Sequence, residues 1–329
     1  MKKLFLIGLA ATAMLTSCND ETIEMNQTNA ISFDNAFVDN STRAFSDPSL
    51  TMGNLSDFSV WSYMDAPAGK VLADVKVAKS GQAWTYSPLA YWVGGHTYTF
   101  AAVAPTTSRI WAPVENGGEL KGFTVAANNG TQDILYSTKV QVETPAQMVS
   151  SPGAVAFTFK HMLAKVKFTF TNAYSNPNYT IKVSNIKITN AYKAGECNLT
   201  AWTGSDETLT LDFGNATTET STQVNTEAAK IEINNSARSN NELLLIPSTA
   251  EKSYNISFTA ELSIGATVAG TYNLTSTISG VALEMGKSYN FTASLDQTNI
   301  NPDGASFPIE FTVTGVDQWV DYQDVPQTL

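Results

Sequence analysis

Few side chains in this sequence have a type and spacing that could do chemistry, and the one with a definite reaction is Cys18. Lys2 and Lys3 give a positive start, Leu4 to Leu15 form an apolar run of twelve residues, and Leu15-Thr16-Ser17-Cys18 closes it. Such a run is too short to span a bilayer and fits the core of a secretory signal. A small residue followed by cysteine at the end of the signal is the pattern in which the thiol receives a diacylglycerol and the freed amino group a third acyl chain. Two or three chains hold a protein to a membrane almost permanently, where one does so only marginally. The sequence therefore predicts an exported chain lipidated at Cys18. An ordinary cleaved signal with an incidental cysteine ranks lower, because Cys197, the other cysteine, gives Cys18 no role as a disulfide partner.

The remaining candidates offer little. The two histidines, His96 and His161, lie 65 residues apart and lack metal-ligand spacing. His96 follows Gly94-Gly95 at a turn and reads as solvated, whereas His161 beside a long amphipathic strand reads as a structural hydrogen-bonding group. There is no Cys-x-x-Cys pair, His-Glu-x-x-His helix, phosphate-binding glycine loop or Gly-x-Ser-x-Gly elbow. Neighbouring carboxylates such as Asp206-Glu207 read as solvated loop charge, and the Asn-x-Ser/Thr triplets at Asn54, Asn178 and Asn273 follow from composition. No catalytic residue, metal site or cofactor is assigned, and the chain is not expected to be an enzyme. Trp84, Tyr91, Trp92 and Trp111 could line a sugar-stacking platform, although rings beside strands more often fill a core or cover its edge.

Charge narrows the partners. The 329 residues carry 19 basic and 30 acidic side chains, a net charge of −11, and losing Lys2 and Lys3 with the signal takes it to −13. No basic cluster reverses this locally, so nucleic acid is not an expected partner. About 310 mature residues exceed one comfortable core, making two domains the default. Threonine, asparagine, valine and aromatic residues are abundant while charged residues make up 15%, a balance that favours strands.

The elements follow from periodicity. Residues 1–18 are the signal with its cysteine, and residues 19–29 a polar, acidic tether. Ile31, Phe33 and Phe37 mark a half-buried first strand, followed by a polar loop through Asp39 to Arg43. Strands are expected at 58–64, 71–77, 98–103 and 133–136, with Trp84 to Trp92 covering a core edge. Residues 143–153 read as the connection between domains 30–150 and 151–329, with a short helix near Pro145 to Val149. Beyond it, Val155, Phe157 and Phe159 alternate with polar residues, as do Val166, Phe168 and Phe170. More strands are expected at 179–189, 208–213, 242–246, 254–262, 271–278, 288–295 and 307–313. Many short strands separated by Gly, Asn and Pro predict an all-β chain of antiparallel sandwiches.

Ordered motifs along the mature chain resemble the fimbrillins, or type V pilins, of Bacteroidota, in their minor-fimbrillin-like branch. They are Ile31-Ser32-Phe33 before Thr42-Arg43-Ala44, Trp84 and Tyr86-Ser87-Pro88 and Trp92 before Tyr98-Thr99-Phe100, and Phe159 to Val166. Leu244-Leu245-Ile246-Pro247, Gly286-Lys287-Ser288-Tyr289 and Gln318-Trp319 follow. Asn19-Asp20-Glu21 after the cysteine likewise resembles the surface-export signal of Bacteroidota lipoproteins, which implies the outer face of the outer membrane. The resemblance implies two transthyretin-like β-sandwich domains, other fimbrillin subunits as partners and adhesion to a host or bacterial surface. It further implies a trypsin-like surface protease that cuts after Arg43, leaving Ala44 first, so that Ile31, Phe33 and Phe37 belong to a removable strand whose place a neighbour's strand takes. Only Val320 to Leu329 follow Trp319, with Pro326 among them, so a tip or accessory subunit is expected over a stalk subunit. A surface glycan-binding lipoprotein of a nutrient-uptake system is the alternative.

Overall fold

The alternation along residues 155–161 is that of a strand with one face on a core, and buried and exposed side chains do alternate there without a break. The computed structural model describes residues 29–38, 48–51, 53–66, 69–117, 119–218, 227–301 and 308–318. Through its first half run β1 (Phe33–Val38), β2 (Asp57–Met64), β3 (Gly69–Ser80), β4 (Ala83–Thr85), β5 (Thr97–Ala104), β6 (Trp111–Asn116), β7 (Glu119–Ala126), β8 (Leu135–Glu143) and β9 (Val155–His161). The second half holds β10 (Ala164–Asn172), β11 (Tyr179–Tyr192), β12 (Ala194–Cys197), β13 (Trp202–Gly204), β14 (Thr208–Gly214), β15 (Ala216–Thr217), β16 (Ser236–Ser239), β17 (Leu243–Leu245), β18 (Lys252–Ile264), β19 (Thr267–Val281), β20 (Lys287–Leu295) and β21 (Phe311–Gln318). The chain is all-β, as expected.

The first sandwich is one sheet folded over on itself. Its order is β1-β9-β8-β5-β2-β3-β4. Laid flat, β1 and β2 would stand about 19 Å apart at the usual strand spacing, yet the rings of Phe33 on β1 and Phe58 on β2 have centroids 6.0 Å apart. The curl encloses Phe33, Phe58, Tyr98, Phe100, Phe157 and Phe159 in one core. The second sandwich stacks β15-β16-β10-β20-β21, with β17 also on β10, against β14-β11-β18-β19. Phe168, Phe170, Phe213, Phe258 and Phe291 fill it. Most pairings are antiparallel, but β1 with β9 and β10 with β20 are parallel.

The two halves are joined more tightly than the sequence suggests. β9 belongs to the first sheet and β10 to the second, so the passage between sandwiches is the buried turn at Met162 and Leu163, where residues 143–153 were expected to make it. The hairpins β6-β7 and β12-β13, which no periodicity announced, form a third layer of order β13-β12-β7-β6. β7 and β12 come from opposite halves, and Gly122 permits their approach, since any side chain there would strike the Cys197 carbonyl. Beneath them Trp61, Trp111 and Phe123 pack with Trp202, Leu244 and Ile246 in one core. Lys165, 2% exposed, lies with its Nζ 3.7 Å from a Glu242 carboxylate oxygen in this joint. No helix forms at 145–149, because the Pro145 carbonyl accepts from the Gly95 N–H at 3.0 Å and turns the chain onto the neighbouring loop.

Candidate functional site

Among the expected site residues, the structure brings Ile31 and Phe33 into one place. Among the described residues β1 is an edge strand paired with β9, with Phe33 opposite Val155 and Asp34 opposite Ala156. The register then shifts, and Phe37 stands opposite Thr158 and Val38 opposite Phe159. Upstream, the chain is stitched on its other side to residues 86–92. Ile31 N–H donates to the Ala90 carbonyl at 2.8 Å, Trp92 N–H to that of Asn29 at 3.0 Å, and the Tyr86 hydroxyl to that of Ile31 at 2.8 Å. Val155 N–H donates to the Ser32 carbonyl at 2.8 Å from the β9 side.

The side chains complete the plug. Ile31 is 1% exposed and Phe33 is 6% exposed. Phe33 stacks on Phe157 at 5.8 Å and meets Tyr86 at 5.4 Å and Phe100 at 6.4 Å edge-on, the arrangements that ring quadrupoles favour. Burying these two side chains is worth about 3–6 kcal/mol as an upper figure, at roughly 1.5–3 for each large apolar group. The backbone of Phe37 lies in β1; its side chain is outside the described set.

The described residues on either side of 39–47 are rooted near the joint between sandwiches. The upstream root is Val38 beside Phe159. At the downstream root, Leu50 N–H donates to Asp133 Oδ2 at 2.9 Å, and His161 Nδ1 lies 2.7 Å from the same oxygen. Asp133 Oδ1 also accepts from Ile134 N–H at 2.8 Å. The His161 and Asp133 side chains are 1% and 0% exposed, a depth at which a carboxylate persists only when its oxygens are occupied. His161 thus has the structural role expected of it, and Asp133, its partner, was passed over although a lone carboxylate before Ile134-Leu135 is a signal of this kind. Arg43 and Ala44 fall between the two roots and, like Cys18, lie outside the described residues.

The other candidates disperse. The sugar platform does not form: Trp92 is 5% exposed in the first core and Trp111 is 3% exposed in the core beneath the third layer. Trp84 is half-buried with its ring 4.9 Å from that of Phe58. His96 Nδ1 sits 3.3 Å from Asp65 at a turn. Cys197 is buried, and that burial pushes its thiol up to about 11, which keeps it protonated and unreactive. A cleft of about 920 Å³ lies over the third layer, floored by Ala112, Thr124, Ala126 and Gly204. Its one cation, Arg109, is held by Asp74 at 2.9 and 3.0 Å and lies over the Trp111 ring at 4.4 Å. Among the described residues no group of acidic, histidine and cysteine side chains is arranged to hold a metal.

Comparison with known proteins gives this geometry a setting. Among curated proteins there is no match. A solved fimbrial protein from Bacteroides vulgatus superposes with a TM-score of 0.56 at 17% identity, covering 88% of this chain and 100% of that one. A solved Bacteroides ovatus protein described in connection with cell adhesion gives a TM-score of 0.49 at 13% identity, covering 88% of this chain and 97% of its own. The first of these likenesses speaks to the fold alone, and the second is too loose to add to it. A family profile described as fimbrillin-like matches residues 42–308, the greater part of the sequence, and the chain belongs to that fimbrillin-like family.

Proposed function

We propose that this chain is the precursor of a fimbrial subunit, exported as a lipoprotein through Cys18, cut after Arg43 and assembled by exchanging β1 for a strand of a neighbouring subunit. Membership of the fimbrillin-like family supports the coarse reading, a non-enzymatic subunit of a cell-surface fimbrium. The observation that carries the finer reading is β1 with the residues leading into it: an edge strand whose ladder neighbour among the described residues is β9, with Phe33 on it and Ile31 just upstream plugging a core walled by aromatic rings. A cut between Val38 and Leu50 leaves those contacts in place but turns a covalent part of the fold into a dissociable ligand. Its departure bares the β9 edge and the Phe157 ring, a template for strand addition. The incoming strand would run parallel to β9, as β1 does, with an aliphatic and an aromatic residue two positions apart.

Other fimbrial subunits are the partners in this reading, and the anchored precursor belongs on the outer face of the outer membrane. A tip or accessory position is assigned over a stalk position, since Pro326, in the stretch after Trp319, lacks an N–H and limits how that stretch could pair. Adhesion to a host or bacterial surface is the outcome for the assembled structure. Incubating the purified precursor with a trypsin-like protease should give a species beginning at Ala44 and ladders of oligomers. Arg43→Ala should abolish both; ladders that persist in that variant overturn strand exchange.

A further inference from the structure

Two loops at one end of the first sandwich, residues 87–95 and 144–152, contain no charged side chain, although 15% of the chain is charged. They are bound to each other. The Thr144 hydroxyl donates to the Val93 carbonyl at 2.7 Å, and Gly95 N–H lies 3.1 Å from the Thr144 carbonyl oxygen. A side chain on Gly94 would meet the Pro145 carbonyl oxygen at 2.8 Å, so the loops touch through backbone. Outward they present Leu89, Val93 and Val149, which are 45%, 51% and 96% exposed. Tyr91 and Met148 are half-buried beside them.

Their place in the molecule is defined by strand register. Thr97 of β5 pairs Glu143 of β8 next to these loops, whereas Ala104 pairs Leu135, and Leu135 pairs His161, at the joint. The loops therefore form the pole farthest from the second sandwich. The chain arriving from Cys18 reaches the body at this pole, where Asn29 accepts from Trp92 N–H and Ile31 donates to Ala90. Ten residues, 19–28, separate Cys18 from Asn29, and at 3.3–3.6 Å per residue they reach no farther than about 40 Å.

We propose that Leu89, Val93 and Val149 rest on the lipid surface while the precursor is anchored. The proposal depends on the acylation of Cys18 described above, and it gives the anchored protein an orientation, pole down, that a tether alone leaves open. Lipid suits this surface better than a protein partner, because loops without charge of either sign give a partner nothing to orient it, while a bilayer needs only apolar area with an interfacial tyrosine beside it. A cut after Arg43 would remove Asn29 to Phe33 together with the tether and free the pole.

The test uses acylated precursor in vesicles of phosphatidylethanolamine and phosphatidylglycerol, carrying one nitrobenzoxadiazole label in a Cys197→Ala background. One variant is labelled at Val149→Cys and another at Ala266→Cys, which lies in the exposed β18-β19 turn at the opposite pole. Brominated acyl chains should quench the label at position 149 several-fold more than the one at 266. Equal quenching in protein that floats with the vesicles overturns the proposal and leaves the anchor intact. Shielding of position 149 from an aqueous quencher without quenching by lipid points to a protein on this surface and overturns it too. Failure of the precursor to float removes the anchor and the proposal together.

Discussion

Two strand pairs among the described residues run parallel, and they differ in what surrounds them. β10 lies in mid-sheet, continuously in register with β20 from Lys165 to Asn172, and β16 and β17 occupy its other side. β1 lies at the sheet edge with one ladder neighbour and a register break between Asp34 and Phe37. Both bury aromatic side chains, Phe168 in one and Phe33 in the other. The exchange proposed for β1 depends on its position. A strand paired on two sides cannot leave without opening two ladders, whereas an edge strand opens one and exposes a groove that a similar strand can refill.

The mid-sheet strand is held by Phe168, whose ring meets Phe213 at 4.8 Å and Phe291 at 5.5 Å. Phe168→Ala should cost about 4–5 kcal/mol in urea unfolding, near the top of the range for buried Phe truncation, and no added strand should restore it. Asp133→Ala should cost roughly 3–4 kcal/mol, because it strips His161 and Leu50 N–H of a buried acceptor. It should also speed cutting at Arg43, followed by gel and mass measurement, since Leu50, downstream of residues 39–47, is freed. Phe33→Ala should cost about 3 kcal/mol, the low end for such a truncation, because an edge relaxes more readily. In cut protein it should raise the dissociation rate of the released strand, while Phe168→Ala should not; equal rates would erase the distinction between the two strands.

The smallest effect concerns pH. Burial pushes the Asp57 carboxyl up, but hydrogen bonds from the Thr107 hydroxyl and the Thr107 and Thr106 amides, with Lys76 nearby, outweigh it and hold the group below the usual aspartate range. A carboxyl depressed in the fold stabilises it above its unfolded value and loses that contribution as pH falls through the folded value. Stability should therefore be flat in this respect near neutrality and fall in acid, and Asp57→Asn should flatten the acid limb. Asp57 pins residues 106–107 in the first sandwich, so the change should leave the β10-β20 region untouched.

Where side chains alternate, the sequence showed the strands: β9, β10, β18 and β20 lie close to where period-two patterning put them. The last strand was misplaced, expected at 307–313 and found at Phe311–Gln318, and the hairpins β6-β7 and β12-β13 were missed. Strands of three or four residues such as β12 and β13 are too short to show a period. Gly195 and Gly204 carry little hydrophobic signal, because their lack of a side chain makes room for Ile246 and for the Tyr192 ring. In the candidate site, Ile31 and Phe33 were legible by their alternation, while Asp133 was not, since nothing local ties it to a histidine 28 residues away.

The sequence by itself determined the all-β class and the apolar face of most strands, since each follows from local composition or from the two-residue repeat of a pleated chain. Only the tertiary structure decided that β9 completes the first sheet, that β1 stands at its edge running parallel, and that Asp133 and His161 close the joint. Those are facts about which distant segments lie side by side, and a pattern read along the chain carries the face of a strand but not the identity of its neighbour.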